Sequence, residues 1–428
     1  MSMTADARPP LPTDAADRAR VHETALRRRL LYSQHSGDVW ERLVRSVGYE
    51  RARAWRPLDM SANPYATTWR SLSALYREEP DIAGPHPDVI EAVAEAGQWS
   101  LMQRVQRDTL GLGEELKLCE LDADGSPTAH VIHPDLATVD CDPRRPRVLR
   151  AVHFWEPDPR APARWIRWTI QHRNSQGEID PAYTAMEPDG TDVTAELRHG
   201  ATDYPWIGQD GPVMPVVMYH REITGACWDP YSFFEVVDGS LSLCILYTSY
   251  SHAVRQASWK QKYTLGASVR TGDVEPGRPQ QVIADPATIL QLDADEGVAQ
   301  PMIGTLDQPV DLEDMIGSIR VYERRLVEQA SGGIEVTRES SDIRSGYSLA
   351  VGREAQLQQQ RRFAPQFRSA DRQALSVWSD LLAVDRGQRY PSRWPTRRGP
   401  TRQDPADIVY QLGAPIEAPG ESSSGTDP

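Results

Sequence analysis

The residue combinations that most often mark a catalytic site are missing from this sequence of 428 residues. A phosphate-binding P-loop needs Gly-Lys followed by Ser or Thr, because the lysine neutralises phosphate charge, and the sequence contains no Gly-Lys pair. It also lacks the G-x-S-x-G turn that exposes a nucleophilic serine and the H-E-x-x-H helix that binds zinc. We therefore expect no catalytic residues and a protein that is not an enzyme.

The acidic and histidine residues do not form a metal-binding pattern. The run 122–125 begins like a calcium loop, but the twelfth position, which should be a bidentate glutamate, is His133. His130 and His133 are three residues apart on a predicted strand, so they point to opposite faces and cannot share a metal. We interpret Glu114 and Glu115 as part of a solvated face. The sequence predicts neither a metal nor a cofactor.

Two groups of cations could contact nucleic acid. Lysine occurs only at Lys117, Lys260 and Lys262. The last two lie at the end of a predicted helix, where they would either line a DNA path or stabilise the negative helix terminus. The C-terminal arginines alternate with aromatic residues, which suits phosphate binding but is also typical of a solvated basic tail. They are Arg386, Arg389, Arg393, Arg397, Arg398 and Arg402, interleaved with Tyr390 and Trp394.

Composition excludes several broad classes. The formal net charge of −14 argues against a protein that coats nucleic acid, since phosphate binding needs a basic excess. No apolar run approaches the roughly 18 residues that span a bilayer, and the N-terminus has no signal-peptide pattern. We therefore expect a soluble, intracellular protein. The four cysteines are far apart without a C-x-x-C pair, which favours reduced thiols over disulfides.

Hydrophobic periodicity predicts an α+β chain. The predicted helices are 19–47 with a break at Gly37, 87–110 starting at Pro87, 234–265, 312–332 with Asp311 as N-cap, and 347–384 with a kink at Pro365. The predicted strands are 116–121, 130–132, 148–154, 165–171 and 215–219, connected as antiparallel hairpins. Residues 266–311 contain many turns and short strands. A long helix, a β-rich insertion and a second long helix therefore follow one another, as in a stalk with a tip.

Several stretches resemble the portal proteins of tailed bacteriophages. GLGEELKLCELDADGSP from Gly111, followed by VIHPDLATVD from Val131, is similar to their wing region. The end of the first long helix, KQKYTLG from Lys260, is similar to the end of their first stem helix. SGYSL from Ser345 resembles the Ser-Gly-x-Ala-Leu signature that opens their long tunnel-side helix, with a departure at Ser348. The resemblance covers roughly residues 40–385.

The resemblance implies a portal fold with a wing made of helices and a β-rich part, a two-helix stem, a small α/β clip, a long kinked tunnel helix and a helical crown. In this sequence the regions would be a disordered N-terminus (1–18), wing (19–234), first stem helix (235–265), clip (266–311), second stem helix (312–332), tunnel loop (333–345), tunnel-side helix (346–367), and crown with a flexible tail (368–428).

The resemblance also implies a function, partners and site residues. The chain would form a ring of twelve subunits at one capsid vertex of the virion, and DNA would pass through its channel during packaging and ejection. Its partners would be the large terminase subunit, the head–tail adaptor, and the major capsid and scaffolding proteins. The implied DNA-channel residues are Lys260, Lys262, Glu335, Arg338, Glu339 and Arg344. The implied subunit-interface residues are Leu312, Ile316, Ile319 and Leu326, and the crown patch is Arg393, Arg397, Arg398 and Arg402.

Two alternatives remain open from the sequence. One is a phage-associated nuclease or hydrolase whose site follows no familiar motif. The other is a different head–tail connector component, which would lack the order of stem helix, clip and stem helix. A mass measurement separates the first alternative from the portal, because a portal assembles far above the subunit mass of 47.9 kDa.

Overall fold

The computed structural model describes residues 9–12, 14–121, 126–198, 200–208, 211–222, 224–228, 234–258, 261–265, 290–292, 302–306, 311–331, 346–383 and 407–411. The α-helices of this part of the chain are α1 (Ala15–Leu31), α2 (Ser36–Val47), α3 (Tyr49–Ala54), α4 (Pro64–Leu72), α5 (Pro87–Glu95), α6 (Gln98–Leu112), α7 (Thr194–Leu197), α8 (Phe234–Ser258), α9 (Leu312–Ser331) and α10 (Gly346–Ala383). Helices and sheets are both prominent, so the fold class is α+β, as predicted.

The strands form separate small sheets. They are β1 (Asp81–Ala83), β2 (Glu114–Leu121), β3 (Pro127–Ile132), β4 (Ala137–Asp142), β5 (Arg145–Asp158), β6 (Ala161–Arg173), β7 (Ile179–Met186), β8 (Ile207–Gly208), β9 (Gly211–Pro212), β10 (Val216–His220), β11 (Gln261–Leu265), β12 (Leu290–Leu292), β13 (Met302–Leu306) and β14 (Asp407–Val409). The five predicted strands before residue 220 all occur; four are longer than predicted, and the fifth is shifted by one residue.

The chain divides into two compact units, and the first contains Met1–His35, Tyr65–Val237 and Val327–Pro428. Within it, β10, β2 and β3 form an antiparallel sheet with β2 at the centre. Both α6 and α10 pack against β2. A second sheet runs β4-β5-β6-β7 as an antiparallel meander, and β1 pairs with β14. The central strand β2 is therefore enclosed by a sheet partner on each edge and by helices.

The second unit contains Ser36–Pro64 and Asp238–Leu326. Its helices α8 and α9 flank, in chain order, a three-stranded sheet of order β12-β11-β13, in which β11 pairs parallel with β12 and antiparallel with β13. Asp311 caps α9 as predicted, because its carboxylate accepts from the backbone N–H groups of Glu313 and Asp314 at 2.9 and 3.1 Å. Residues 36–64, assigned to the wing from sequence, group instead with 238–326.

One predicted helix break is wrong in position, and a second break was not predicted. Gly37 lies inside α2, and the chain turns between Leu31 and Ser36 instead. The predicted helix 87–110 is two helices, because Gly97 adopts a left-handed φ of 60° between α5 and α6. Pro87 does begin α5, where its missing N–H group costs no hydrogen bond.

The first long helix is shorter than predicted. It ends at Ser258, and Gln261–Leu265 forms β11, which pairs with Met302–Leu306 about forty residues later in the chain. Lys262 therefore lies in a strand and does not cap the helix. The bounds of the third long helix match their prediction closely, since α10 runs from Gly346 to Ala383 with Pro365 inside it, and the kink at Pro365 stays a prediction. None of the described helices is long and apolar enough to cross a membrane.

The cysteine prediction is wrong for two of the four residues. Cys141, at the end of β4, forms a disulfide with Cys227, with Cα atoms 6.3 Å apart. Cys119 and Cys244 are buried and form no disulfide, as predicted. The bonded cysteines are separated by 86 residues in the chain. The tertiary fold brings Cys141 and Cys227 together, and the spacing of cysteines in the sequence does not show this.

Candidate functional site

The predicted interface residues lie on α9, and two of them are already buried inside the second unit. Ile319 is 3% exposed and packs with Leu243 and Ala62. Leu326 is 4% exposed and packs on Gly239 of α8. Because glycine has no side chain, the methyl groups of Leu326 can lie directly against the helix backbone. Leu312 and Ile316 are half-buried. Contacts of these four residues with another subunit remain a prediction.

Hydrogen bonds fix the two long helices within the second unit. The Tyr247 hydroxyl on α8 donates to Glu323 on α9 at 2.8 Å. Arg42 of α2 holds Asp238 of α8 through both carboxylate oxygens. Such bidentate pairs are geometrically specific, so α8 has a defined orientation within this unit.

Apolar side chains on both long helices also face outward. Val321 on α9 is 50% exposed and Leu246 on α8 is 37% exposed. Single exposed apolar residues are common on protein surfaces. Here they lie on the two helices that the sequence nominates for subunit contact. They are better candidates for that role than Ile319 and Leu326, whose apolar surface is already covered.

The other predicted site residues cannot be placed as side chains. Lys262 lies in β11, where only the backbone is described. Outside the described residues lie Lys260, Glu335, Arg338, Glu339, Arg344, Arg393, Arg397, Arg398 and Arg402. Their roles toward DNA remain predictions.

A buried polar centre was missed by the sequence analysis. Glu114 and Glu115 are 4% and 0% exposed, so their interpretation as a solvated face is wrong. Oxygen and nitrogen atoms of Asp108 (α6), Glu115 (β2) and His133 lie within 4.8 Å of one another. His133 Nδ1 is 3.0 Å from Glu115 Oε1. His130 lies instead near Glu120, at 3.7 Å, so the two histidines are separate as predicted.

The charges around this centre decide its chemistry. Burial raises the pKa of Glu115 well above its usual range, and the neighbouring Asp108 raises it further. Burial, with the positive charges of Arg28, Arg104 and Arg107, lowers the pKa of His133 to about 3. His133 is therefore neutral at neutral pH, and the environment of Glu115 favours the protonated carboxyl.

Hydrogen bonds from protein groups already engage the Asp108 carboxylate and the Nε2 atom of His133. Arg104 Nη2 lies 3.0 Å from His133 Nε2, and a guanidinium only donates, so Nε2 accepts and Nδ1 carries the proton. The Asp108 carboxylate accepts from the Tyr32 hydroxyl at 2.5 Å and from Arg107 at 3.2 Å. The positive charges of Arg104 and Arg107 beside His133 and Asp108 repel a divalent cation, so these residues do not fit a metal site.

A second buried centre surrounds Asp371 of α10. The hydroxyl groups of Tyr76, Tyr410 and Tyr219 donate to its carboxylate at 2.6, 2.7 and 2.9 Å. Burial raises the pKa of Asp371, while Lys117 and the three hydroxyl groups oppose that shift. Burial also lowers the pKa of Lys117, which lies 5.2 Å above the Tyr219 ring. This centre joins α10, β10 and the C-terminal segment.

Neither centre has a clear sequence signal. Residues 115–118 alternate polar and apolar, which is typical of a strand with one solvent-exposed face. In the structure the side chains on both faces of β2 are buried, and α6 and α10 pack against this strand. The sequence of β2, which includes Lys117, does not indicate that its polar side chains will be buried. They are buried because α10, more than 200 residues later in the chain, packs against this strand.

Comparisons with known proteins give distant structural matches. No family model matches the sequence, and no curated protein matches it. A chain from the neck of a native gene transfer agent particle, computed with C12 symmetry, is 12% identical with a TM-score of 0.40, over 74% of this chain and 78% of that chain. A chain from the virion of a native gene transfer agent particle is 11% identical with a TM-score of 0.36, over 84% and 83%. Both TM-scores lie below 0.5, so neither match assigns a function to this chain.

Proposed function

We propose that this chain is the portal protein of a tailed bacteriophage or a similar particle. The observation that carries the proposal is the order of elements in the second unit. The long helix α8 is followed by the sheet of β11, β12 and β13, and then by the capped helix α9. This order corresponds to the stem helix, clip and stem helix implied by the sequence resemblance. The long helix α10 then follows at the position of the tunnel-side helix.

The proposed protein is a ring at one capsid vertex of the virion and not an enzyme. Its twelve subunits would enclose a channel for double-stranded DNA, and the ring would bind the large terminase subunit and later the head–tail adaptor. Major capsid and scaffolding proteins would surround it. A net charge of −14 suits a channel wall, because many simultaneous phosphate contacts would hold the duplex and oppose its movement.

Native mass spectrometry and negative-stain imaging of the purified chain test the proposal. We expect closed rings with a mass many times the subunit mass of 47.9 kDa. If the purified chain stays monomeric at micromolar concentration at every salt concentration tested, the proposal that it forms a ring is excluded. A different connector component would also form rings, so binding of the matching large terminase subunit to the purified ring is the second measurement.

The exposed residue Val321 gives a sharper variant than Ile319. Ile319→Asp would place a carboxylate inside the second unit and destabilise the subunit itself. Val321 is half-exposed, so Val321→Asp should leave the subunit folded but weaken its association if this surface is covered in the ring. Val321→Thr is the matched control, because it keeps the shape without adding charge. Unchanged rings for Val321→Asp would remove this part of α9 from the interface.

A further inference from the structure

The short strand β14 is held in a groove of the first unit by two inward side chains. Its residues Asp407–Val409 pair antiparallel with Asp81–Ala83 of β1. Ile408 is 0% exposed and Tyr410 is 8% exposed, whereas Val409 between them is 51% exposed. Alternate residues of an extended chain point to opposite faces, so the segment inserts Ile408 and Tyr410 and presents Val409 outward.

Hydrogen bonds and a ring contact hold this segment in the groove. The Tyr410 hydroxyl donates to Asp371 at 2.7 Å, beside the Tyr76 hydroxyl, which donates to the same oxygen at 2.6 Å. The Tyr410 ring contacts the Tyr76 ring edge to face, with centroids 5.4 Å apart. Gln411 Nε2 also donates to Asp81 at 3.1 Å. Backbone pairing together with alternate side-chain anchors is the way sheet edges recognise extended peptides.

The connection from the end of α10 to β14 has many more residues than are needed for β14 to reach the groove of its own subunit. Arg372 of α10 lies 3.8 Å from Asp407, and α10 continues for eleven more residues to Ala383. At 1.5 Å per residue that places the helix end about 17 Å further along, which roughly five extended residues would cover on the way back. The sequence supplies 23 residues, 384–406.

A chain of that length can span up to about 80 Å, against roughly 60 Å for the diameter of an average compact chain of 428 residues. It contains four prolines, and six arginines against two aspartates. The prolines are Pro391, Pro395, Pro400 and Pro405. The arginines are Arg386, Arg389, Arg393, Arg397, Arg398 and Arg402, and the aspartates are Asp385 and Asp404. The connection is therefore long enough to deliver β14 to the groove of a neighbouring copy.

We infer that in the assembled protein the segment 407–411 of each subunit occupies the β1 groove of the next subunit. Each subunit then supplies Ile408 and Tyr410 to its neighbour's Asp371 and Tyr76, so the groove is completed by a second copy of this chain. Exchange of identical elements between protomers uses contacts that one chain already provides, and in a closed ring every groove remains filled. The inference rests on the proposed function, since it needs an assembly of identical subunits.

Cysteines on separate chains test the exchange directly. Ala83 and Asp407 are facing partners in β1 and β14, and both are exposed. One tagged chain carries Ala83→Cys and a second, differently tagged chain carries Asp407→Cys, and the two full-length chains are co-expressed and oxidised. Exchange predicts disulfide-linked pairs that carry both tags, isolated under denaturing and non-reducing conditions. Each variant expressed alone controls for bonds made by the four native cysteines.

Substitutions at Tyr410 and Val409 provide a test and its matched control. Adding Tyr410→Ala to the Asp407→Cys chain should lower the yield of linked pairs at least several-fold, whereas Val409→Ala should leave it unchanged because Val409 points outward. The chain with both cysteines, Ala83→Cys and Asp407→Cys, shows whether the two positions can bond. If it forms only an intrachain disulfide and co-expression gives no linked pairs, the exchange is overturned.

Failure of the exchange can be distinguished from failure of the proposed function. Rings in negative-stain images with only intrachain disulfides would overturn the exchange and leave the ring intact. Linked pairs support the exchange whether the assembled particle is a closed ring or a smaller oligomer, and images without rings would contradict the proposed function alone. Absence of any disulfide in the doubly substituted chain would show that β1 and β14 are not paired and would also overturn the exchange.

Discussion

Gly239 of α8 and Gly317 of α9 should respond differently to substitution by alanine. A Cβ atom added at Gly239 of α8 would overlap the end of Leu326, lying 2.8 Å from Cδ1 and 3.2 Å from Cγ. Leu326 is 4% exposed and cannot move into solvent. At Gly317 of α9 an added Cβ meets nothing within 4 Å.

The expected magnitudes follow from these surroundings. Alanine in place of a helical glycine stabilises a helix by up to about 1 kcal/mol, so Gly317→Ala should raise the free energy of unfolding by up to that amount. Gly239→Ala gains the same propensity but also overpacks Leu326, which typically costs about 1–3 kcal/mol. Its net effect should range from near zero to a loss of about 2 kcal/mol.

Denaturant unfolding of both variants, followed by circular dichroism at several protein concentrations, measures the difference. The concentration series separates subunit stability from assembly, because association makes unfolding depend on concentration. Gly239→Ala combined with Leu326→Ala should recover part of the overpacking cost but lose the buried leucine contacts. Equal stabilisation by Gly239→Ala and Gly317→Ala would refute the close packing of α8 on α9.

The remaining predictions concern the first unit and the DNA path. Reduction of the disulfide, or Cys141→Ser, should lower the free energy of unfolding by up to about 4–5 kcal/mol, the loop-entropy value for a separation of 86 residues; a midpoint unchanged by dithiothreitol would contradict the bond. The pKa of Glu115 is raised in the folded state. Above the pKa that Glu115 has in the unfolded chain, the native protein therefore binds more protons than the unfolded chain does. The free energy of unfolding then falls as the pH rises. Glu115→Gln should therefore flatten the stability–pH profile above about pH 4.5, and a parallel profile would show that the carboxyl is not shifted. Lys260→Ala with Lys262→Ala, and separately removal of residues 338–342, should leave rings intact but impair DNA packaging or retention in a packaging assay; wild-type efficiency would remove those residues from the DNA path.

Local signals predicted the elements that depend on local physics. Asp311 caps α9 because a carboxylate can accept from the free N–H groups of the first turn, whatever the rest of the chain does. The extent of α10 was predicted within one residue at each end. The end of α8 was not, because β11 exists only through its pairing with β13 about forty residues later. Helical periodicity does not report such a distant partner.

The sequence by itself determined the α+β class, the order of α8, the β insertion and α9, and the apolar stripe on α9. It could not determine which surface each apolar or charged residue faces. Ile319 and Leu326 were nominated for subunit contact, but folding covers them within the second unit and leaves Val321 exposed. Glu115 was expected in water, but the tertiary structure encloses it. Burial depends on which distant segments cover a strand or helix, and no local window of sequence contains that information.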